Sequence, residues 1–174
     1  SMGLDYTTRG RNVTVIFGDG AGAAIVQPTA ESGEGILATC MHSNGTHAEE
    51  LAFINPGCHG GRYGGIENYG YLDEKEYGGT FLTQKMMDDA LIYPNMNGQL
   101  VFKNAVQKMP EAIMEVLNKA GYKPSDLKML IPHQANLRIA AFVQHTLRLN
   151  DDQVYNNIQK YGNTTAASIP IALT

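Results

Sequence analysis

Two stretches of this chain carry side chains suited to chemistry on a carbonyl group. They are Ile131-Pro132-His133-Gln134-Ala135-Asn136-Leu137-Arg138 and Tyr161-Gly162-Asn163-Thr164-Thr165-Ala166-Ala167-Ser168. In each, an apolar or extended lead-in stops, a polar residue stands at the break, and a small-residue or amphipathic helix begins. His133 and Asn163 occupy the breaks. Two neutral donors at strand-to-helix corners can be aimed at one oxygen, which is what stabilising a developing enolate or oxyanion requires. Each residue also has a plainer use. A single histidine at a strand end is more often structural than catalytic. An asparagine after glycine and before two threonines also suits a turn or a helix cap.

The elements that must hold these corners follow from periodicity. From Asn12 to Gln27, the β-branched flanks Val13-Thr14-Val15-Ile16-Phe17 and Ala24-Ile25-Val26 predict one long strand, interrupted by a glycine corner. Gly35 to Cys40 reads as a second strand, and Cys58 to Gly79, rich in glycine and tyrosine, as a long loop. Val101 to Ala120 places Phe102, Ala105, Val106, Met109, Ile113, Val116, Leu117 and Ala120 at helical spacing, with Gly121 as terminator. Pro110 should kink that helix. Met129–Ile131 is a short buried strand leading into His133. Leu137, Ala140, Ala141 and Leu147 mark a second helix, Val154–Ile158 another strand, and Ala166 starts a third helix. This alternation predicts a layered α/β domain.

Composition narrows the classes. The 174 residues are 43% hydrophobic with a formal net charge of -4 and no basic run, an ordinary globular balance that argues against a nucleic-acid surface. The apolar stretches are too short to span a membrane and no secretory leader opens the chain, so no membrane partner is expected. Two cysteines, Cys40 and Cys58, make no disulfide framework, which points to a reducing cytoplasm. Gly18-Asp19-Gly20-Ala21-Gly22 lacks the Gly-x-Gly-x-x-Gly frame and the following helix of a nucleotide loop, and is better read as a structural corner. Cys40, His42, His47, Cys58 and His59 match no zinc spacing, so no metal is expected.

Four runs occur in one order: Phe17-Gly18-Asp19-Gly20-Ala21-Gly22-Ala23-Ala24, Met96-Asn97-Gly98-Gln99-Leu100-Val101-Phe102, Pro132 to Arg138, and Tyr161 to Ser168. Together they resemble the C-terminal half of a β-ketoacyl-acyl-carrier-protein synthase III (3-oxoacyl-ACP synthase III), a condensing enzyme of the thiolase superfamily. The resemblance runs from about Val13 to Thr174, apart from the Cys58–Gly79 loop. It implies one half of a duplicated thiolase-like fold, a mixed β-sheet with packed helices. Residues 1–30 would then be the last strand region of a missing N-terminal half, and 31–174 a C-terminal domain truncated at its end.

The resemblance also implies roles. In that family a cysteine is acylated by an acyl-CoA primer, malonyl-ACP enters and loses carbon dioxide, and its enolate attacks the acyl-cysteine. His133 and Asn163 match the family's histidine and asparagine, which bind the malonyl thioester oxygen. Gly98, Val101, Phe102, Ala135 and Asn136 match residues lining the pantetheine tunnel; Gln99 stands where asparagine is frequent. Arg138 matches an arginine that meets a carrier-protein or CoA phosphate, although a solvated helix face explains it nearly as well. The family's nucleophile has no match here, since neither Cys40 nor Cys58 precedes an apolar helix that would lower a thiol pKa. No cofactor beyond the substrates acyl-CoA and malonyl-ACP is implied. The implied partners are acyl carrier protein and the missing N-terminal half, with a homodimer when intact. Three rival readings stay open: a related condensing enzyme of secondary metabolism, a non-catalytic interaction domain and, last, a sugar- or acetate-kinase-like ATPase fragment suggested only by the glycine corner.

Overall fold

A computed structural model describes residues 11–48, 50–53, 84–88 and 93–174. The expected Cys58–Gly79 loop lies outside them. The chain divides into two units, Met2–Val15 with Thr46–Asn97, and Ile16–Gly45 with Gly98–Thr174.

The first unit holds α1 (Arg11–Thr14), β1 (Leu51–Phe53), α2 (Gln84–Asp88) and β2 (Pro94–Met96). β1 and β2 pair antiparallel with Leu51 opposite Met96 and Phe53 opposite Pro94, and Asn97 N–H extends the ladder to the Glu50 carbonyl at 2.7 Å. α1 packs beside β2 and buries Val13.

The second unit is built on two helices. α3 (Gly98–Ala120) covers the whole predicted helical run in 23 residues. Pro110 sits buried inside it without ending it. A proline there removes one backbone donor, a cost that burial of the ring in the packed face offsets. Gly121 (φ 77°) terminates α3: Gly121 N–H bonds the Asn118 carbonyl at 3.2 Å and Tyr122 N–H bonds the Leu117 carbonyl at 2.9 Å, the paired bonds of a left-handed C-cap. α4 (Leu137–Leu147) has the extent its apolar spacing predicts. Its face Ile139, Val143 and Leu147 joins Leu149 and Val154 in the core, against Phe102, Val106, Met109 and Ile113 of α3. Short helices α5 (Ile158–Tyr161) and α6 (Ser168–Ala172) follow, α6 entered through a single 3-10 turn at Thr165–Ala167.

Four predicted strands are corrected. Within Asn12–Gln27 the ladder shrinks to one parallel bridge, Phe17 to Asn163, and α1 occupies the start. Gly35–Cys40 forms no strand. Met129–Ile131 and Val154–Ile158 meet only at a parallel bridge between Leu130 and Val154. Val15, Ile25, Val26 and Ile36 are 81%, 95%, 79% and 74% exposed, and no described backbone runs alongside to complete a ladder. The second unit remains mixed helix and strand bridges, as an α/β layer requires.

Candidate active site

The corner at His133 is assembled by hydrogen bonds that begin where the Leu130–Val154 bridge ends. Pro132 is buried, and Ala135 N–H turns back to the His133 carbonyl at 2.9 Å. Asn136 is extended (φ -162°) and caps α4: its Oδ1 accepts from Arg138 N–H at 2.9 Å, and its carbonyl accepts from Ile139 N–H at 3.0 Å. Gln134, 3% exposed, ties the corner down. Its Nε2 donates to the carbonyls of Pro132 (2.9 Å) and Tyr155 (3.2 Å), and its Oε1 accepts from Asn157 N–H at 2.9 Å. His133 is thereby fixed between two anchored neighbours. Its ring keeps one side open, while Nδ1 lies 2.6 Å from Ser168 Oγ. Gln134 N–H also donates to that Oγ, at 3.3 Å. The protein around the ring holds the His133 pKa below the ordinary imidazole range, because burial disfavours the cation.

Asn163 is clamped from the other direction. Its N–H donates to the Ile16 carbonyl and its carbonyl accepts from Gly18 N–H, both at 3.0 Å. Gly162 must be glycine: it holds φ 69°, and a Cβ there would come 3.1 Å from the Ile16 carbonyl oxygen. The Asn163 Oδ1 accepts from Thr165 N–H at 2.9 Å, with Thr165 itself left-handed (φ 52°). A backbone N–H can bond only the oxygen of the amide, so this contact fixes which end is which. The donor end, Nδ2, is the one left for a ligand. Five residues further on, Ser168 reaches His133, so the segment carrying Asn163 also steadies the histidine.

The remaining expected site residues lie at the start of α3, at the start of α4 and in the turn that precedes α4. Gly98 and Val101 lie in the first turn of α3, with Phe102 half-buried beside them. The Arg138 guanidinium sits over the Phe102 ring, 5.3 Å from its centroid, joining the starts of α3 and α4. Ala135 and Asn136 form the turn between His133 and α4. Sequence reasoning gave no separate role to Gln134, Ser168 or Asn157, because their partners lie 21 to 35 residues away. Asn157 is 4% exposed, and its Nδ2 has no partner among the described residues.

The cysteine and glycine candidates resolve differently. Cys40 lies beside the middle of α3, its thiol donating to the Ala112 carbonyl at 3.5 Å, away from any helix N-terminus. Ligand-type atoms of Cys40, His42 and Glu115 do gather within 4.8 Å. Both Glu115 oxygens are engaged, however, by His42 Nε2 and by Lys119 Nζ, each at 2.6 Å. The Lys119 contact first, then His42, holds the Glu115 pKa below the usual carboxylate range. Lys119 already supplies the positive charge a metal would bring, so this is a surface ion pair. His47 belongs to the other unit, and Cys58 and His59 lie outside the described residues. At the glycine corner, a Cβ on Gly18 would stand 1.9 Å from the Tyr161 oxygen, and one on Gly22 2.4 Å from Pro170 Cβ. The glycines serve close backbone packing.

Comparison with known proteins bears on the family to which these residues belong. The family described as 3-oxoacyl-[acyl-carrier-protein (ACP)] synthase III, C terminal, matches residues 117–174, and the companion 3-oxoacyl-[acyl-carrier-protein (ACP)] synthase III matches residues 1–45. The chain is 42% identical over 165 residues to the beta-ketoacyl-[acyl-carrier-protein] synthase III of Caldanaerobacter subterraneus subsp. tengcongensis, covering 94% of this chain and 43% of that protein. Against the Aquifex aeolicus protein of the same name it is 39% identical, covering 94% and 41%. The crystal structure of 3-oxoacyl-[acyl-carrier-protein] synthase III from Aquifex aeolicus superposes with a TM-score of 0.70 at 38% identity, over 94% of this chain and 41% of that one. A Thermus thermophilus synthase III superposes at 0.67 and 31% identity, over 94% and 43%. The chain therefore spans less than half the length of the relatives it matches, and within that span both family halves, the ordered motifs and the superposed thiolase-type fold place it in the 3-oxoacyl-[acyl-carrier-protein] synthase III family.

Proposed function

We propose that this chain is the part of a condensing acyltransferase that binds the malonyl thioester and stabilises its enolate. The observation that carries the reading is the matched anchoring of two neutral side chains. Asn163 has its acceptor end held by Thr165 N–H, which leaves its amide donor free, and burial lowers the His133 pKa, favouring the neutral ring. Carbon dioxide leaves malonyl-ACP with its bonding electrons remaining on the thioester as an enolate, and two fixed donors favour that charge over the neutral ground state. The enolate carbon then attacks an acyl-cysteine thioester, a carbon–carbon bond forms, and the cysteine leaves as thiolate. Cys40, bonded to a helix carbonyl, has no environment for that nucleophile, and the family resemblance would place the acylated cysteine in the N-terminal half of the whole protein. By the family resemblance, Gly98, Val101, Phe102, Ala135, Asn136 and Arg138 would line the path of the pantetheine arm, and the Arg138–Phe102 contact ties two of them together.

The same reading carries an acyl-CoA primer and malonyl-ACP as substrates, no resident cofactor, fatty-acid initiation as the process, and a homodimeric cytoplasmic enzyme. Among the described residues no helix is long and apolar enough to cross a membrane.

The test uses the whole enzyme. His133→Ala and Asn163→Ala should each lower malonyl decarboxylation by about 10²–10³-fold while acylation of the nucleophile by acyl-CoA continues. Unchanged decarboxylation in either variant would remove that residue from the proposal. Loss of acylation as well would mean that His133 also activates the thiol.

A further inference from the structure

We infer that Ser168 is the positioning residue that sets the tautomer of His133, placing the ring proton on Nε2. This rests on the reading of His133 as a neutral donor.

A serine hydroxyl has one proton to give and two lone pairs to receive with. Ser168 is 2% exposed, so its hydroxyl has no recourse to solvent. One lone pair is already used, since a backbone N–H can only donate and the Gln134 N–H points at Oγ from 3.3 Å. The other contact is His133 Nδ1 at 2.6 Å. If Nδ1 carried the ring proton, Oγ would accept twice and its own proton would be buried without an acceptor. Burying an unmatched polar group is costly. If Ser168 instead donates to Nδ1, every group is satisfied. Nδ1 is then the acceptor, and the proton of the neutral ring resides on Nε2.

The arrangement also opposes protonation. An imidazolium must carry a proton on Nδ1, which would turn it into a donor toward Oγ and strand the hydroxyl proton. This acts in the same direction as the burial that lowers the His133 pKa. Gln134 matters because its three side-chain bonds hold its own backbone, and hence its N–H, on Ser168. The outward nitrogen is thus a donor before any substrate arrives, with no reorganisation needed when charge develops.

The experiment is long-range ¹H–¹⁵N correlation of the histidine-labelled protein at neutral pH, with His133 assigned by comparison with His133→Gln. In the unsubstituted protein, Nδ1 should resonate as an unprotonated nitrogen and Nε2 as a protonated one. The reverse pattern overturns the inference, and this readout requires no variant at Ser168 to fold. In Ser168→Ala the two tautomers should mix, and in the whole enzyme kcat for malonyl decarboxylation should fall about tenfold with KM little changed; Ser168→Thr should restore both if its methyl group is accommodated. A pure Nε2–H tautomer persisting in a folded Ser168→Ala protein would also overturn the inference. Failure of the parent reading looks different: His133→Ala would leave decarboxylation intact while the tautomer of the unsubstituted protein still read as Nε2–H.

Discussion

Gly18 and Asn163 are joined backbone to backbone, the Gly18 N–H donating to the Asn163 carbonyl at 3.0 Å, while Asn163 N–H returns to the Ile16 carbonyl. The candidate asparagine is therefore placed by a strand bridge from a segment more than 140 residues earlier in the chain. Gly18→Ala tests this directly. A Cβ there would stand 1.9 Å from the Tyr161 oxygen, so the two backbones must part. The expected result is destabilisation by about 3 kcal/mol, read as a lowered denaturant midpoint, with Asn163 among the residues whose backbone resonances move most.

His133 should titrate below the free-imidazole range, because burial penalises its charged form. A depressed folded pKa means that the unfolded chain binds more protons between the folded value and about 6.5. Its contribution to stability is therefore present above the unfolded pKa and lost as pH falls through the folded one. Following the His133 ring resonances from pH 8 to pH 4 measures this. A midpoint above the free value would contradict the assigned burial.

Gln134 should be among the least replaceable side chains of the second unit. Gln134→Leu keeps the volume but abandons the Asn157 N–H and the carbonyls of Pro132 and Tyr155. Leaving such buried groups unmatched costs about 3 kcal/mol in all. Gln134→Glu keeps the acceptor for Asn157 yet turns an anionic oxygen toward two carbonyls, so it should fail as well. Thermal unfolding of the two variants provides the comparison, and a midpoint unchanged in Gln134→Leu would show the network to be dispensable.

The helices were legible from sequence because their signals are local. Apolar spacing and the Gly121 terminator lie within one or two turns of what they define, and α3 and α4 appear where they were expected. The strands were not, since a ladder depends on a neighbour that the sequence of the strand does not name. Val154 finds Leu130 for a single bridge, and Ile25 and Val26 find none among the described residues. The same distinction runs through the site. His133 and Asn163 stood out by residue type and by their position at a break. The supports that orient them, Ser168 and Gln134, act across 21 to 35 residues and carry no local signature.

The spacing of the three close-packed glycines has a consequence for which sequences this corner can accept. Gly18, Gly20 and Gly22 fall on alternate positions, and a Cβ at each would run into Tyr161, Ile171 or Pro170. The residues between and after them, Asp19, Ala21 and Ala23, are exposed. An extended backbone sends successive side chains to opposite sides, so the segment has one bare edge and one ordinary edge. In a saturation library, survival should rise and fall with a period of two from residue 18 to residue 23. Almost nothing would replace the even positions, and Ala21 and Ala23 would admit broad variety. A phosphate-binding loop would give a different fingerprint, with intolerance gathered around a ligand instead of alternating along the chain.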